Sequence, residues 1–237
     1  MNDHQSFQRF AALAAIISST LALGSIVHSV SGMAAIDFNT DVPFWLSSLS
    51  TGADGARELR QGMILDMFSY YLPLLPVALF LWRWLRPRNP DWALFYTSCG
   101  LGYILVGAIG AAILAAVHPP LISAYAQASV EQRPVLETVF SAIGNMVYDG
   151  MWGILGVLLA SIWFLGIGLL LRGERRLFSI FSIILGISAL LGSLGVTLGI
   201  EALFLLGVIY ALLAPVWALW LGIDLLRKPV QIQTADN

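Results

Sequence analysis

Apolar positions in this chain do not alternate with polar ones; they run together. Six stretches, near 10–31, 63–84, 92–117, 150–171, 177–199 and 203–226, are each long enough to cross a bilayer, which takes about 20 residues at 1.5 Å of rise per residue. Runs of this length predict an all-α, polytopic transmembrane helix bundle of six spans, forming one domain over residues 1–237.

The connections between the runs are of two kinds. Those at 86–91 and 173–176 are short and carry arginine, whereas 32–62 and 118–149 are long and richer in acid. Arg9, Arg83, Arg86, Arg88, Arg172, Arg175, Arg176, Arg227 and Lys228 fall on one side, and only Arg57, Arg60 and Arg133 on the other. By the positive-inside rule the first set is cytoplasmic, which puts both termini inside and the chain in the inner (plasma) membrane. Trp82, Trp84 and Trp92 lie at that same interface, where an aromatic belt is expected. Ser29 and Ser31 stand where a signal peptidase could cut. The first apolar run is longer than a signal-peptide core, however, and its flank has one arginine balanced by Asp3, so it reads as an uncleaved span.

The long outer segments carry helical patterns of their own. Asp41 can cap a short helix reaching Ser50, with Pro43 in its first turn and Phe44, Trp45 and Leu49 on one face. Asp54 can cap a second helix that runs into span two. In 134–149, Val135, Val139, Phe140, Ile143, Met146 and Val147 recur at helical spacing, with Glu137, Ser141, Asn145 and Tyr148 on other faces and a bend expected near Gly144 or Gly150. Both 41–50 and 134–149 are expected to be amphipathic helices resting on the outer leaflet. Pro73 and Pro76 interrupt span two and Pro215 interrupts span six. Gly102, Gly107 and Gly110, then Ser188, Gly192, Gly195 and Gly199, form small-residue faces. Such faces let backbones approach, either inside the bundle or across a homodimer seam through Gly192, Gly195 and Gly199.

Composition narrows the function. Charged residues are 11% of the chain and apolar ones 58%, against about 25% charged in a soluble domain. The partner implied is the lipid bilayer, and a net charge of −2 gives no basis for binding nucleic acid. Cys99 is the only cysteine, so no intrachain disulfide can form. No P-loop, dinucleotide, nucleophile-elbow or zinc motif occurs, so neither cofactor nor metal is expected. Lys228, the only lysine, sits at the end of the last run, which excludes a Schiff base at mid-membrane.

Ionisable side chains inside a membrane are the usual pointer to function. Here they gather toward the outer end: His28, Asp66, His118, Asp149 and Glu201, with Tyr70 and Asn145 in reach. These seven form the candidate binding cluster, with no catalytic residue among them. Asp66 lies about one turn, roughly 5 Å, inside its span, and should be either uncharged or paired with Tyr70, His28, Asn145 or Tyr148. His118, Asp149 and Glu201 read as solvated helix ends, and Asp224 as the partner of Arg227 at i, i+3. Tyr70, Tyr71, Tyr96, Tyr103 and Tyr210 could line a cavity beside the kinked span two.

Trp84-Leu-Arg-Pro87 leading into span three, and Tyr148-Asp-Gly-Met-Trp152 through Leu169-Leu-Leu-Arg172 to Arg175-Arg-Leu177, resemble a family of six-span bacterial membrane proteins carrying a domain of unknown function. The resemblance covers about two thirds of the chain. It implies six spans and no activity. The function expected first is therefore non-enzymatic: a structural, assembly or accessory subunit that binds other membrane proteins or lipids. Two alternatives stand beside it. One is a carrier of a small apolar or neutral molecule. The other is an outer-leaflet enzyme or metal or haem redox protein built on His28, Asp66 and His118.

Overall fold

A computed structural model describes residues 3–33, 46–228 and 230, and for 26–33 only the course of the backbone. Its elements in chain order are α1 (Asp3–Met33), a 3-10 turn (Leu46–Thr51), α2 (Gly52–Asp66), a first π segment (Met67–Tyr71), α3 (Leu74–Leu85), α4 (Pro90–Gln127), α5 (Arg133–Asn145), a second π segment (Met146–Gly156), α6 (Val157–Leu171), α7 (Arg176–Leu198) and α8 (Glu201–Arg227). No strand occurs among the described residues. The π segments join their flanking helices, so six long rods result, all apolar and long enough to span a membrane. The chain is a multi-pass, all-α membrane protein.

The rods close into a ring in chain order. α1 packs on α3 and the first π segment, α2 and α3 on α4, α4 on α6, α6 on α7, α7 on α8, and α8 returns to α1. Aromatic side chains fill the interior. Tyr71 meets Tyr103 (ring centroids 5.6 Å apart), Tyr103 meets Trp163 (6.3 Å), Trp163 meets Trp217 (5.8 Å), and Phe164 touches both Trp217 (4.8 Å) and Tyr210 (6.0 Å). Without water to drive helices together, such packing and close backbone approach hold a membrane bundle.

The outer cap differs from expectation in a consistent way. Span three does not stop near 117, because α4 continues through Pro119 and Pro120 to Gln127. Proline at 119 leaves the carbonyl of Ala115 without its helical donor, and Arg60 Nε–H donates to that carbonyl at 3.3 Å. Segment 134–149 is helical, but it is no separate surface rod. α5 winds through the second π segment into α6, giving one helix of 39 residues, almost 60 Å long at 1.5 Å per residue. That is nearly twice the roughly 30 Å hydrocarbon thickness, so the end opposite the arginine-rich turns consists of span extensions. The helix widens into π turns around Gly150, where a bend was expected. Of the predicted helix 41–50, residues 41–45, with Asp41, Phe44 and Trp45, lie outside the described residues. The rest is a 3-10 turn whose Leu49 is buried with Ala56, Ile122 and Phe140 in a small second core. Asp54 does not cap α2, which starts at Gly52. It sits in the first turn and pairs with Arg57 at 3.5 Å.

The arginine-rich end is tied together by polar contacts that local spacing could not reveal. Asp224 pairs with Arg175 (2.7 Å) and Lys228 (3.5 Å), not with Arg227. Glu174 pairs with Arg88, and the guanidiniums of Arg88 and Arg175 both lie over the Trp84 ring, 5.7 and 5.6 Å from its centroid. Burial lowers the pKa of Arg88 from its ordinary value, which the ion pair with Glu174 opposes. Gln8, buried at the start of α1, donates to the carbonyls of Leu225 (2.7 Å) and Lys228 (3.1 Å) and accepts from Val230 N–H (3.0 Å). It thereby satisfies carbonyls that the end of α8 leaves unbonded.

On the small-residue face of α7, Gly192 and Gly195 are buried against α8 and Gly199 is exposed. A Cβ on Gly192 would lie 2.4 Å from Gly207 Cα, and one on Gly195 would lie 2.4 Å from Phe204 N, so α7 and α8 touch backbone to backbone. Gly199 ends α7 with φ +66, a left-handed cap whose following N–H, on Ile200, donates to Gly195 O.

Candidate functional site

Asp66 is the last residue of α2, where the helix widens. The widening has a cause in sequence. Pro73 lacks an N–H, and Leu72 N–H bonds back five residues to Met67 O at 3.0 Å. The carbonyl of Ser69, deprived of its helical donor by Pro73, accepts a short hydrogen bond from Ser18 Oγ–H on α1. In a π turn the residues four and five ahead share the next turn, so Tyr70 and Tyr71 both stand beneath Asp66.

Ring contacts join tyrosines of three rods here: Tyr70 to Tyr71 (6.3 Å), Tyr71 to Tyr103 of α4 (5.6 Å) and, through Trp152, Tyr71 to Tyr148 of the second π segment. Trp152 completes the group, 6.3 Å from the Tyr71 ring and 5.3 Å from the Tyr148 ring, with its Nε1–H donating to Gly107 O at 3.2 Å. Tyr71 and Tyr103 are buried and form a floor. Asp66, Tyr70, Tyr148 and Trp152 are half-buried and form a rim. Of the two expected states of Asp66, uncharged or paired, pairing is not seen: among the described residues its carboxyl makes no hydrogen bond or ion pair, while its backbone oxygen accepts from Ser69 Oγ–H at 3.1 Å.

Six of the seven candidates have side chains among the described residues. Asp66 and Tyr70 come together. Asn145, Asp149 and Glu201 are exposed, and the His28 side chain lies outside the described residues. His118 is not a solvated helix end. It is fully buried, stacked on Phe140 with ring centroids 3.9 Å apart, and neither ring nitrogen has a hydrogen-bond partner among the described residues. The reason is that α4 runs past the two prolines and α5 folds down on it. Because a buried polar ring without partners costs stability, His118→Leu should leave the melting temperature unchanged or raise it, checked by fluorescence-detected thermal unfolding in detergent.

The tyrosine reading holds in part. Tyr70 and Tyr103 line a narrow crevice of about 10 Å³ with Ser18, Ser69, Pro215 and Trp217, roughly the space of a single water. Tyr96 instead stacks on Trp92, ring centroids 5.4 Å apart. Sequence reasoning placed Tyr148 near Asp66 but missed Trp152, whose ring lies against both Tyr71 and Tyr148. No three His, Cys, Asp or Glu side chains converge as metal ligands among the described residues.

The family model described as a domain of unknown function (DUF4386) matches residues 11–228. No curated protein and no solved structure matches the chain.

Proposed function

The chain belongs to the DUF4386 family, and from that premise we propose that it is a non-enzymatic structural or accessory membrane protein, which binds other membrane proteins or lipids on its outward faces. The observation that carries this reading is the filled interior of the ring. Trp163, Phe164 and Trp217 are 0–1% exposed there, and the crevice beside them is too small for any solute larger than water. A carrier needs polar groups waiting at mid-depth. Here Ser18 Oγ–H is committed to the carbonyl that Pro73 frees. Since Gly192 and Gly195 already face α8, partners would meet the lipid-facing sides of the rods, such as Phe204, Leu205, Val208 and Leu212 of α8.

Extraction in mild detergent followed by native mass spectrometry tests the reading. The expected result is a stoichiometric complex with a defined membrane protein, or retained lipid. A bare monomer, together with saturable solute uptake in proteoliposomes, would overturn it in favour of a carrier.

The nine-to-three distribution of basic residues supports a plasma-membrane orientation with both termini in the cytoplasm. In a Cys99→Ala background, Val130→Cys, which is 79% exposed in the native residue, should react with an impermeant maleimide added to whole cells. Gly173→Cys, in the short turn after α6, should react only after permeabilisation. The opposite pattern would invert the topology.

A further inference from the structure

We propose that Asp66, Tyr70, Tyr148 and Trp152, over the floor of Tyr71 and Tyr103, form a binding site for an organic ammonium group. Two features of the site point to a cation. The first is a half-buried carboxyl that no side chain of the described residues neutralises. The two arginines on the same helix are committed elsewhere, Arg57 to Asp54 at 3.5 Å and Arg60 to the carbonyl of Ala115 at 3.3 Å. The second is the wall around it. Tyr70, Tyr71, Tyr103, Tyr148 and Trp152 come from three different rods and are linked by successive ring contacts, Tyr70–Tyr71 at 6.3 Å, Tyr71–Tyr103 at 5.6 Å, Tyr71–Trp152 at 6.3 Å and Trp152–Tyr148 at 5.3 Å. Aromatic faces attract a cation through their quadrupoles and repel an anion, and rings arranged as a cage recognise quaternary ammonium. A carboxyl among rings therefore lacks the charge that both it and the rings favour.

The backbone is built for this arrangement on both sides. Asp66, Tyr70 and Tyr71 belong to the first π segment and its cap, and Tyr148 and Trp152 to the second. π turns inside α-helices recur at functional positions because they turn side chains that an α-helix would hold apart onto one face. Asp66, Tyr70, Tyr148 and Trp152 are only half-buried, so the rim keeps surface that an ammonium group can reach. That group can belong to a free small cation or to the headgroup of a choline or ethanolamine lipid at the membrane surface.

Thermal stability and calorimetric titration of the purified full chain distinguish these cases. Choline and tetramethylammonium chloride are compared with sodium chloride at equal ionic strength, in nanodiscs of phosphatidylglycerol. Native mass spectrometry is then run after reconstitution in phosphatidylcholine. Saturable binding of free choline, with a concentration-dependent rise in melting temperature, places the ammonium on a small cation. Selective retention of phosphatidylcholine over phosphatidylglycerol, without affinity for free choline, places it on a lipid. In either case Asp66→Asn should weaken binding at least tenfold, and Tyr148→Leu should weaken it while Tyr148→Phe keeps it. The Tyr148 pair keeps the test valid if Asp66→Asn fails to fold. Absence of both choline binding and phosphatidylcholine selectivity in the native chain overturns the proposal, as does equal binding by a folded Asp66→Asn variant.

Discussion

Gly192→Val should separate α7 from α8 and cost more than any other single-residue change on the small-residue faces. The new Cβ would sit 2.4 Å from Gly207 Cα and 2.6 Å from Gly207 N. Both obstructing atoms are backbone, so no side-chain rotation relieves the clash and the helix itself must move. Overpacking a filled interior costs typically about 1–3 kcal/mol and sometimes more, and here the shift would also break the neighbouring approach of Gly195 to Phe204 N. The expected readout is a clear fall in thermal unfolding temperature in detergent, with aggregation on size exclusion. Gly62→Ala provides the control, since nothing lies within 4 Å of its added Cβ; it should match the native chain or exceed it slightly through better helix propensity. Equal melting of Gly192→Val and the native chain would mean that α7 and α8 are not in backbone contact.

Trp217→Ala should be the most costly truncation. The side chain is 1% exposed, donates from Nε1–H to Ser182 Oγ at 2.8 Å, and packs on Trp163, Phe164 and Phe178. Truncating a buried tryptophan costs about 3–5 kcal/mol in soluble proteins. In a bilayer, lipid is as apolar as the core, so lost packing rather than lost burial supplies the cost, and about 3 kcal/mol is expected. Trp217→Phe should recover most of it while losing the bond to Ser182. Trp220→Ala, 38% exposed and lipid-facing, should cost far less, because acyl chains fill the space that a sealed interior leaves empty. Thermal unfolding of the three variants side by side checks the ordering; comparable losses for Trp217→Ala and Trp220→Ala would contradict a sealed interior.

The apolar runs determined the number of rods and their helical nature, because partition of a segment into lipid depends on that segment alone. They also determined the places of the short arginine-bearing turns. Local spacing disclosed the helical character of 134–149 and the closeness of Asp66 to Tyr70. Tertiary structure decided everything that depends on a partner distant in the chain. Span three read as ending near 117, but α4 runs on through Pro119 and Pro120, and Arg60, 55 residues before Ala115, supplies the donor that Ala115 O lacks. Asp224 had Arg227 three residues away and was taken by Arg175. His118 read as a wet helix end and became a buried ring once α5 covered it. The glycines of α7 met Gly207 and Phe204 of α8. The ring contacts of Tyr71 with Tyr103 and Trp152 needed three rods to converge. Periodicity records which face a residue occupies, whereas pairing is settled by which faces meet, and in a ring of six rods that is set by the packing of all of them at once.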